Sequence, residues 1–572
     1  MHLRRFWLFC AALVASACAA ASSPTVPPVT ELILAADGEA RLSYKLAPDA
    51  PATLRFANPS DDFHRVVRSA GWKYDERCFS LTQAAISVTP GAACGTEYIR
   101  LDWDDKPRDR IYPALVRLRN GGVLVFASYL QVLTADGARI APTRLIAPPG
   151  GVAVFRDAKS SSELLVDGAA FQHDGRGWFY LGPDKFVEEE VARLLVDDGV
   201  AAAARAQIME LAPRLMRFYG ERLGRTVKRP VFYLTWSARE DPVHDWQADV
   251  VPGEARFGLR GRAWADATTQ AIAPFRGTIA HELAHFWNGS DDVGPAFGTP
   301  WISEGTAELF AAAGLLHEGA IDAQGAASRL ETAMTECLLM VGSRSWVDFP
   351  TRGFGRAPYA CGFAMQFAIA AAAGKSPHPH GPFSLWKGVW QEWAHYYEAS
   401  LTQFLERDGD AALARQVHEM LTRKDVPLQA ALAKLLSRGE VAMGEHRAMS
   451  RGTLSMAAGA VVGALMSGDC NRSYSLNRQD GYIAILNVPC KTFRNGMSIS
   501  FVAGHDVFVD PFAAAADARK ACDEGRPVIL KSRDGSTAID VPCASYTSAE
   551  LPSEAALRQF RAEDVQRVLL GP

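Results

Sequence analysis

The sequence lacks the short motifs that identify several large classes of protein. It has no glycine motif of the Rossmann or P-loop type, no internal repeat and no long low-complexity run. None of its 10 cysteines is spaced as CxxC, so thioredoxin-like chemistry and a structural zinc site of paired cysteines are not expected. These absences argue against a nucleotide-binding domain, a repeat array and a thiol redox enzyme.

A basic excess is missing as well. The formal net charge is −4 and the pI is near 6.4, so no field steers the chain onto nucleic acid or anionic lipid, and no nucleic-acid partner is expected. The apolar run Met456–Met466 is too short to span a bilayer and is predicted to be buried. What is present is 48% hydrophobic residues over 572 positions, which is enough for about three or four domains with sizeable cores.

The first residues have the pattern of a secretory signal peptide. Two arginines precede an apolar run at 6–15, and small residues follow, so residues 1–22 are predicted to direct export. Two processing routes stay open: the stretch ASAC resembles a bacterial lipobox, in which Cys18 would carry a lipid anchor, and ordinary cleavage would follow Ala19 or Ala20. The mature protein is expected to be periplasmic or an outer-membrane-anchored lipoprotein in a bacterium, and secreted otherwise.

Eight cysteines follow the signal region, in groups of two, two and four. In an oxidising compartment, an even number grouped in this way predicts disulfides within each group. Buried free thiols are the alternative for each pair. The groups are Cys78 and Cys94; Cys337 and Cys361; and Cys470, Cys490, Cys522 and Cys543.

Hydrophobic periodicity divides this multidomain chain into three regions. Residues 25–182 show alternating apolar positions and turn signals such as Asn120-Gly121-Gly122, which predict an all-β, mainly antiparallel N-terminal domain. Residues 186–445 switch to a helical period and are predicted to be α+β and mostly helical. Residues 446–572 are predicted to form a small disulfide-containing α+β domain. Its second half faintly resembles a PDZ domain, and a disulfide-stapled module with no ligand is the alternative.

The stretch from His281 to Glu308 carries a candidate metal site. His281 and His285 stand at i and i+4, so both imidazoles project from one helix face and can share a zinc ion, with Glu282 beside them. Glu304, in a second apolar run, is the obvious third ligand. Two histidines and one carboxylate leave a position open for water, which is typical of catalytic rather than structural zinc. An accidental histidine pair on a surface helix is the alternative.

The same stretch resembles the zinc motif of the aminopeptidase N and leukotriene hydrolase family. HELAHFW is followed, eighteen residues after its second histidine, by the glutamate of WISEGTAELF, which is similar to that family's HExxH-x18-E and W-L-N-E-G-F-A. Downstream, PYACGFA is similar to the family's P-Y-E-K-G-F-A, whose tyrosine helps to stabilise the tetrahedral intermediate; the resemblance gives that role to Tyr359. The similarity covers residues 205–440 and implies a thermolysin-like gluzincin catalytic domain with one zinc ion per chain.

One departure from the family concerns the substrate's amino group. The family's aminopeptidases carry a G-x-M-E-N strand before the zinc helix, whose glutamate holds that group; here residues 252–264 read PGEARFGLRGRAW. The stretch keeps Glu254, which could serve if the strand is shifted, but it adds Arg256, Arg260 and Arg262. These arginines would repel an ammonium group, and they could pair with substrate carboxylates or face solvent. We therefore expect a peptidase that does not strictly depend on a free N-terminus and that accepts internal or acidic segments.

The predicted chemistry is activation of a water molecule. Zinc held by the two histidines and Glu304 would lower the pKa of bound water, and Glu282 would accept the proton as the water attacks a peptide carbonyl. By the resemblance, Tyr359 would donate a hydrogen bond to the oxyanion. Glu308, one turn beyond Glu304, could orient a zinc histidine, and an exposed helix carboxylate is the alternative.

The sequence therefore predicts a zinc metallopeptidase acting on a peptide or protein substrate. Three alternatives remain: an aminopeptidase that requires a free N-terminus, a zinc hydrolase of a non-peptide substrate, and an inactive binding protein that keeps the fold. The last is disfavoured, because an inactive scaffold has no physical reason to retain two histidines, two glutamates and a tyrosine in this pattern.

Overall fold

The protein is described by a computed structural model that covers most of the chain. The described residues are 28–46, 53–58, 62–89, 94, 97–102, 112–134, 137, 139–171, 176–224, 228–237, 244–266, 269–288, 300–349, 355–392, 398–445, 449–467, 469–470, 475–486, 490–543 and 550–571. The predicted signal peptide, with Cys18, lies outside them. The chain divides into two compact units, one of Met1–Leu115, Val125–Ala153 and Ser160–Gly175, and one of Val116–Leu124, Val154–Lys159 and Arg176–Pro572.

The N-terminal part of the chain is rich in short strands. It contains one helix, α1 (Asp62–Gly71), and the strands β1 (Val29–Leu34), β2 (Ala40–Lys45), β3 (Thr53–Arg55), β4 (Trp72–Lys73), β5 (Phe79–Leu81), β6 (Ala85–Val88), β7 (Ile99–Leu101), β8 (Leu115–Arg117), β9 (Val123–Phe126), β10 (Thr143–Ile146), β11 (Gly151–Phe155), β12 (Ala158–Ser160), β13 (Glu163–Val166) and β14 (Trp178–Pro183).

These strands form three sheets. Their orders are β13-β10-β1-β2-β7-β4, β12-β11-β14-β9-β8 and β3-β6-β5. β1 pairs with β10 in parallel, whereas β1–β2, β2–β7, β4–β7 and β10–β13 are antiparallel. The predicted hairpin at Asn120-Gly121-Gly122 is confirmed, because β8 and β9 flank it as neighbours and Gly121 has a positive φ of 87°.

The prediction of an all-β N-terminal region is wrong at α1. This helix is held by contacts that no sequence period reveals: the buried guanidinium of Arg68 lies 3.6 Å over the ring of Phe56, and its Nε donates to the carbonyl of Tyr129 at 2.9 Å. A buried arginine with a cation–π contact and a backbone acceptor anchors the helix against the strands. The region is therefore β-rich with one helix.

A five-stranded sheet opens the predicted catalytic region. Its strands are β15 (Val187–Glu188), β16 (Arg193–Val196), β17 (Val231–Ser237), β18 (Asp245–Val251) and β19 (Glu254–Arg260), and their order is β15-β16-β17-β19-β18. β16, β17 and β19 are parallel, and their residues are almost all buried, as expected for strands covered on both faces. β18 folds back antiparallel on β19 and forms one edge.

Two helices lie between β16 and β17, and the others follow the sheet in close succession. They are α2 (Ala202–Ala206), α3 (Ala212–Leu223), α4 (Thr269–Asn288), α5 (Pro300–His317), α6 (Ala323–Val341), α7 (Ala357–Ala373), α8 (Pro382–Glu392), α9 (Glu398–Arg407), α10 (Ala411–Thr422) and α11 (Leu428–Arg438). α3 stops at Gly224 in a left-handed cap. Pro213, at the start of α3, follows a short π-helical segment that joins α2 to α3. One hydrophobic core joins the sheet to these helices.

The C-terminal region is α+β. Its elements are β20 (Met443–Glu445), α12 (Arg451–Met466), β21 (Ser475–Gln479), β22 (Tyr482–Leu486), β23 (Ser498–Ile499), β24 (Phe501–Val502), β25 (His505–Asp506), α13 (Pro511–Asp523), β26 (Val528–Lys531), β27 (Ala538–Val541), β28 (Arg558–Phe560) and α14 (Ala562–Leu570). Residues between 458 and 551 form a core of their own. β28 and α14 return to the helical core, where Phe560 contacts Phe367 with ring centroids 6.2 Å apart.

The prediction of disulfides within each cysteine group is confirmed, and the structure gives the pairing of the last four cysteines, which the sequence left open. The bonds join Cys78 to Cys94, Cys337 to Cys361, Cys470 to Cys490, and Cys522 to Cys543. The domain bounds and the likeness to a PDZ domain stay predictions. Within the described ranges, no helix combines the length and the apolar character that crossing a bilayer requires. Four disulfides are typical of a protein in an oxidising compartment.

Candidate active site

The two histidines of the predicted motif lie on α4, the helix that packs beside the sheet. α4 is buried along most of its length, and His281 is only 6% exposed. Glu304 lies in the first turns of α5, which starts at Pro300, a favourable first position for proline. The sequence pattern also predicts a helix cap at Gly289, a solvated loop at Asp291 and Asp292, and an N-cap at Thr299. All of these lie in residues 289–299, which are outside the described residues.

The three predicted ligands converge on one point. His281 Nε2 lies 3.1 Å from His285 Nε2 and 3.1 Å from Glu304 Oε2, and His285 Nε2 lies 3.4 Å from the same oxygen. Zinc bound tetrahedrally at 2.0–2.1 Å keeps its ligand atoms about 3.3 Å apart. The three atoms thus already form one nearly equilateral face of such a site, and the donor set fits zinc with a fourth position left open.

Each imidazole is oriented through its other nitrogen. His285 Nδ1 lies 2.8 Å from Asn288 Oδ1, and His281 Nδ1 lies 3.3 Å from Glu308 Oε1. An acceptor at Nδ1 favours the tautomer whose Nε2 lone pair is available to a metal. Asn288 also donates through Nδ2 to the carbonyl of Ser303 at 2.7 Å, which ties the end of α4 to the residue before Glu304.

Glu308 is thus a partly buried carboxylate that contacts His281, and its role as an orienting residue stays a prediction. Its second oxygen accepts a hydrogen bond from Arg329 Nη2 on α6 at 3.0 Å. Gly277, one turn before His281, leaves room for this guanidinium, because a Cβ there would lie 2.5 Å from Arg329 Nη1. The carboxylate of Glu308 is thus held between an arginine and an imidazole.

The electrostatics of this cluster favour positive charge at the histidines. Burial alone would lower the pKa of His281, but hydrogen bonds to Glu304 and Glu308 raise it to about 10. Burial would raise the pKa of Glu308, yet His281 and Arg329 lower it to about 2. When both imidazoles are neutral, the carboxylates of Glu282, Glu304 and Glu308 and the guanidinium of Arg329 together carry a net charge of −2. A divalent cation neutralises this charge.

Glu282 differs from the other two acids. Burial raises its pKa, His281 and His285 counteract that effect, and the negative charges of Glu304 and Glu308 raise it further. A carboxylate with a raised pKa is suited to accept a proton near neutral pH.

Two glycines set the distance between α5 and α7. A Cβ on Gly305 would lie 2.3 Å from the backbone of Gly362, and a Cβ on Gly362 would lie 2.6 Å from the carbonyl of Trp301. The two backbones therefore touch at the residue after Glu304 and three residues after Tyr359. This contact brings the tyrosine, in the first turn of α7, next to the histidines.

Tyr359 faces the candidate metal site. Its ring lies 5.5 Å from the ring of His281 at an interplanar angle of 29°, and the guanidinium carbon of Arg356 lies 5.5 Å from the centroid of the tyrosine ring. Burial raises the pKa of the Tyr359 hydroxyl, and the charges of Glu304 and Glu282 raise it further. The hydroxyl therefore stays protonated at neutral pH and is available as a donor.

The Cys337–Cys361 disulfide fastens the start of α7 to α6. Glu336, beside Cys337, accepts from Arg356 at 3.3 and 3.1 Å through its two oxygens. Tyr359 thus lies between an ion pair and a disulfide that both join α7 to α6.

The site opens into a cavity of about 610 Å³ between α4, α6 and α7, which we call the site cavity. Trp246 on β18 closes one side and donates through Nε1 to Thr278 at 3.0 Å. The residues of the predicted chemistry that line the cavity are His281, Glu282, Glu308 and Tyr359.

The three arginines of residues 252–264 are not three free cations that could repel an ammonium group, as the sequence suggested. Arg256 is buried, 4.8 Å over the ring of Trp178 and 3.9 Å from Asp249, and Arg260 pairs with Asp245 at 2.8 Å. Only Arg262 is exposed. Repulsion of a substrate ammonium by three free arginines is therefore a wrong explanation, because two of the three are paired with acids.

Glu254 is also unavailable to a substrate. It is fully buried and accepts from the backbone N–H groups of Trp178 at 2.7 Å and Arg156 at 3.2 Å. The strand is therefore not shifted so as to present this carboxylate to the cavity. Its role is to join β19 to two other chain segments.

Sequence reasoning missed the residues that support the ligands. Asn288, three residues after His285 on the same helix, stands at a spacing that signals a side-chain contact. Arg329, Arg356 and Glu336 gave no such signal, because their partners lie on other helices, more than fifteen residues away in sequence.

Comparison with known proteins supports the fold. No family model and no curated protein matches the sequence. The crystal structure of an aminopeptidase N family protein from Idiomarina loihiensis is similar to this chain with a TM-score of 0.60 at 13% identity, over 95% of this chain and 100% of that one. A zinc metallopeptidase of the M1 group from Deinococcus radiodurans aligns with a TM-score of 0.38 at 15% identity, over 70% and 94%. The chain thus has a multidomain fold like that of the Idiomarina protein.

Proposed function

We propose that the protein is a zinc-dependent peptidase. The observation that carries the proposal is the near-equilateral face of two imidazole nitrogens and one carboxylate oxygen, with edges of 3.1, 3.1 and 3.4 Å, beside a cavity that also holds Glu282 and Tyr359. His281, His285 and Glu304 would hold one zinc ion per chain. When bound, zinc would supply Lewis acidity and make a coordinated water molecule acidic enough to ionise near neutral pH.

Glu282 acts as the general base. Its carboxylate lies in the site cavity next to the first ligand histidine, and burial together with the charges of Glu304 and Glu308 raises its pKa, which makes it a stronger base. It accepts the proton of the attacking water and returns it to the leaving amine.

Tyr359 stabilises the oxyanion. Its hydroxyl remains protonated, since burial and two neighbouring carboxylates raise its pKa. The ring is fixed by its contacts with His281 and Arg356, so the donor is positioned before the negative charge develops, which is the condition for effective transition-state stabilisation.

The substrate is a peptide that need not present a free N-terminus. Among the described residues that line the site cavity, each carboxylate other than Glu282 already faces a cation: Glu308 faces Arg329, and Glu336 faces Arg356. A buried ammonium group requires an uncompensated carboxylate. Matched peptides with free and acetylated N-termini test this point, and one-by-one trimming confined to the free peptide would restore the strict aminopeptidase alternative.

The experiment that tests the whole proposal is cleavage of a mixed peptide library by the zinc-loaded protein. We expect cleavage by the wild type and none by Glu282→Gln at equal zinc content. Full zinc occupancy without cleavage of any peptide would reject the peptidase and leave two alternatives, a hydrolase of a non-peptide substrate and an inactive binding protein. Export, and lipidation at Cys18 as against cleavage after Ala19 or Ala20, remain part of the proposal; mass spectrometry of the mature N-terminus distinguishes these two routes.

A further inference from the structure

A second cavity of about 430 Å³ lies between α6 and the C-terminal region, and we call it the distal cavity. One wall is the second half of α6 together with Arg344 and Phe349. The facing wall is α12 and β21. The residues that line it from the C-terminal region are Met456, Gly459, Ala460, Gly463, Ala464, Ser467, Leu476, Arg478 and Glu550.

The distal cavity adjoins the site cavity. Glu336 and Arg356 line both of them, so the two spaces meet at the ion pair beside Tyr359. α6 runs along both: its first half, with Arg329, borders the site cavity, and its second half, with Met340, borders the distal cavity.

The distance between the candidate metal site and the distal cavity can be estimated along α6. Arg329 is joined to His281 through Glu308, so it marks the position of the candidate metal site. From Arg329 to Met340, α6 rises about 16 Å at 1.5 Å per residue. An extended peptide advances about 3.3 Å per residue, so a strand of about five residues spans this distance.

The lining of the distal cavity suits an apolar side chain. Leu339, Met340, Met456 and Leu476 supply apolar surface, while the glycines and alanines of α12 leave the volume open. The charged groups of the wall are largely compensated: Arg344 pairs with Glu550 at 3.0 Å, and both are nearly buried. A bulky apolar group that enters this space gains burial without separating an ion pair.

We propose that the distal cavity is a specificity subsite, contributed jointly by the catalytic helices and the C-terminal region, for a bulky apolar residue of the same peptide about five residues from the scissile bond. The proposal rests on the proposed peptidase function. It assigns the C-terminal region a role in selecting long substrates, whereas short peptides would be cleaved without it. The occupant is the substrate itself, because the distal cavity borders the site cavity at the ion pair of Glu336 and Arg356, within reach of one extended peptide.

The test is a series of ten-residue peptides that carry phenylalanine or alanine at each position from three to seven residues on either side of one cleavage point. For the wild type we expect kcat/KM to be at least about tenfold higher for phenylalanine than for alanine near the fifth position on one side. No preference at any position on either side would overturn the proposal.

The matched variants are Ala460→Phe, which fills the distal cavity, and Ser455→Phe, which places the same ring on α12 at a residue that lines neither cavity. Ala460→Phe should reduce the preference to within about twofold and leave cleavage of a four-residue peptide unchanged, whereas Ser455→Phe should retain it. Persistence of the preference in Ala460→Phe would refute the assignment. Met340→Ala, which enlarges the same space, is the second variant should Ala460→Phe fail to fold, and it should shift the preference from phenylalanine toward tryptophan.

Binding separates this proposal from the proposed function. Fluorescence anisotropy with a labelled ten-residue peptide is measured on zinc-loaded Glu282→Gln protein with and without Ala460→Phe. A loss of affinity of about tenfold in the double variant supports the subsite even if no peptide is hydrolysed. Equal affinities would reject the subsite, even if the wild type cleaves peptides well.

Discussion

Two pairs of acids in the catalytic region, one partly buried and one fully buried, have pKa values that are shifted in opposite directions. Glu304 and Glu308, which we call the metal-side acids, have pKa values held below the usual range, in the case of Glu308 at about 2. Asp249 and Glu254, which we call the sheet-side acids, have pKa values raised to about 7. Burial disfavours the charged form in all four.

The neighbours explain the difference. The metal-side acids face imidazole nitrogens and a guanidinium, which favour the carboxylate. The sheet-side acids rely on neutral donors, such as the backbone N–H of Trp178 for Glu254, or on a guanidinium 3.9 Å away in the case of Asp249, and burial outweighs these. Burial of an acid alone thus does not mark a candidate site residue, whereas contact with the imidazoles separates the metal-side acids from the sheet-side acids.

The largest expected effect is loss of the metal. Glu304→Ala or His285→Ala should reduce zinc from about one ion per chain to nearly none, because two remaining ligands bind too weakly, and cleavage should fall below detection. Glu254→Gln, a sheet-side control, should keep its zinc. Elemental analysis after dialysis measures the zinc content of each variant. Equal zinc in Glu304→Ala, His285→Ala and Glu254→Gln would contradict the distinction between the metal-side and the sheet-side acids.

The second effect separates metal binding from proton transfer. Glu282→Gln should retain zinc but lose turnover by about 10²–10⁴-fold, because the amide keeps the shape of the carboxylate and cannot accept the proton. Asp249→Asn is the control on the sheet side. Near-normal kcat in Glu282→Gln at full zinc occupancy would show that another group is the base.

The third-largest effect is expected from loss of the oxyanion donor. Tyr359→Phe should fold, bind zinc and lower kcat by about a hundredfold, the cost of one lost hydrogen bond in the transition state. A rate within about twofold of the wild type would mean that the ring only packs against His281.

A smaller effect is expected at the orienting acid. Glu308→Gln should weaken zinc binding by about ten- to a hundredfold, since the amide no longer holds His281 Nδ1 with a negative charge. Competition with a chelator of known affinity gives the zinc dissociation constant. An unchanged constant would place Glu308 with the sheet-side acids, as a structural residue.

The smallest effect is a pH dependence of stability. The pKa of Glu254 is about 7 in the folded protein and near 4.5 when unfolded, so its contribution is fully present below about pH 4.5 and is lost as the pH rises through 7. The free energy of unfolding of the zinc-saturated protein should therefore fall by at most a few kcal/mol between pH 5 and pH 8. Glu254→Gln should flatten this decline in guanidinium titrations; identical slopes for the two proteins would speak against the raised pKa.

The metal-side acids were predictable and the sheet-side acids were not. The i, i+4 spacing of the histidines follows from helical geometry, and Glu304 and Glu308 lie in the next apolar run of the same short stretch. The burial of Arg256 and Glu254 depends on Trp178, which is more than seventy residues away in sequence. No local pattern encodes such a contact, and the same is true of the tertiary contacts that stabilise α1.

The backbone contact between Gly305 and Gly362 has a consequence for how the site tolerates change. A methyl group at either position would push α5 and α7 apart and would carry a ligand and the tyrosine away from each other, although neither glycine has a reactive atom. In a saturation mutagenesis experiment scored by activity, both glycines should therefore rank beside the histidines. A map of intolerant positions in this protein would record helix spacing as well as chemistry, and only zinc content and folding, measured for each inactive variant, would tell the two apart.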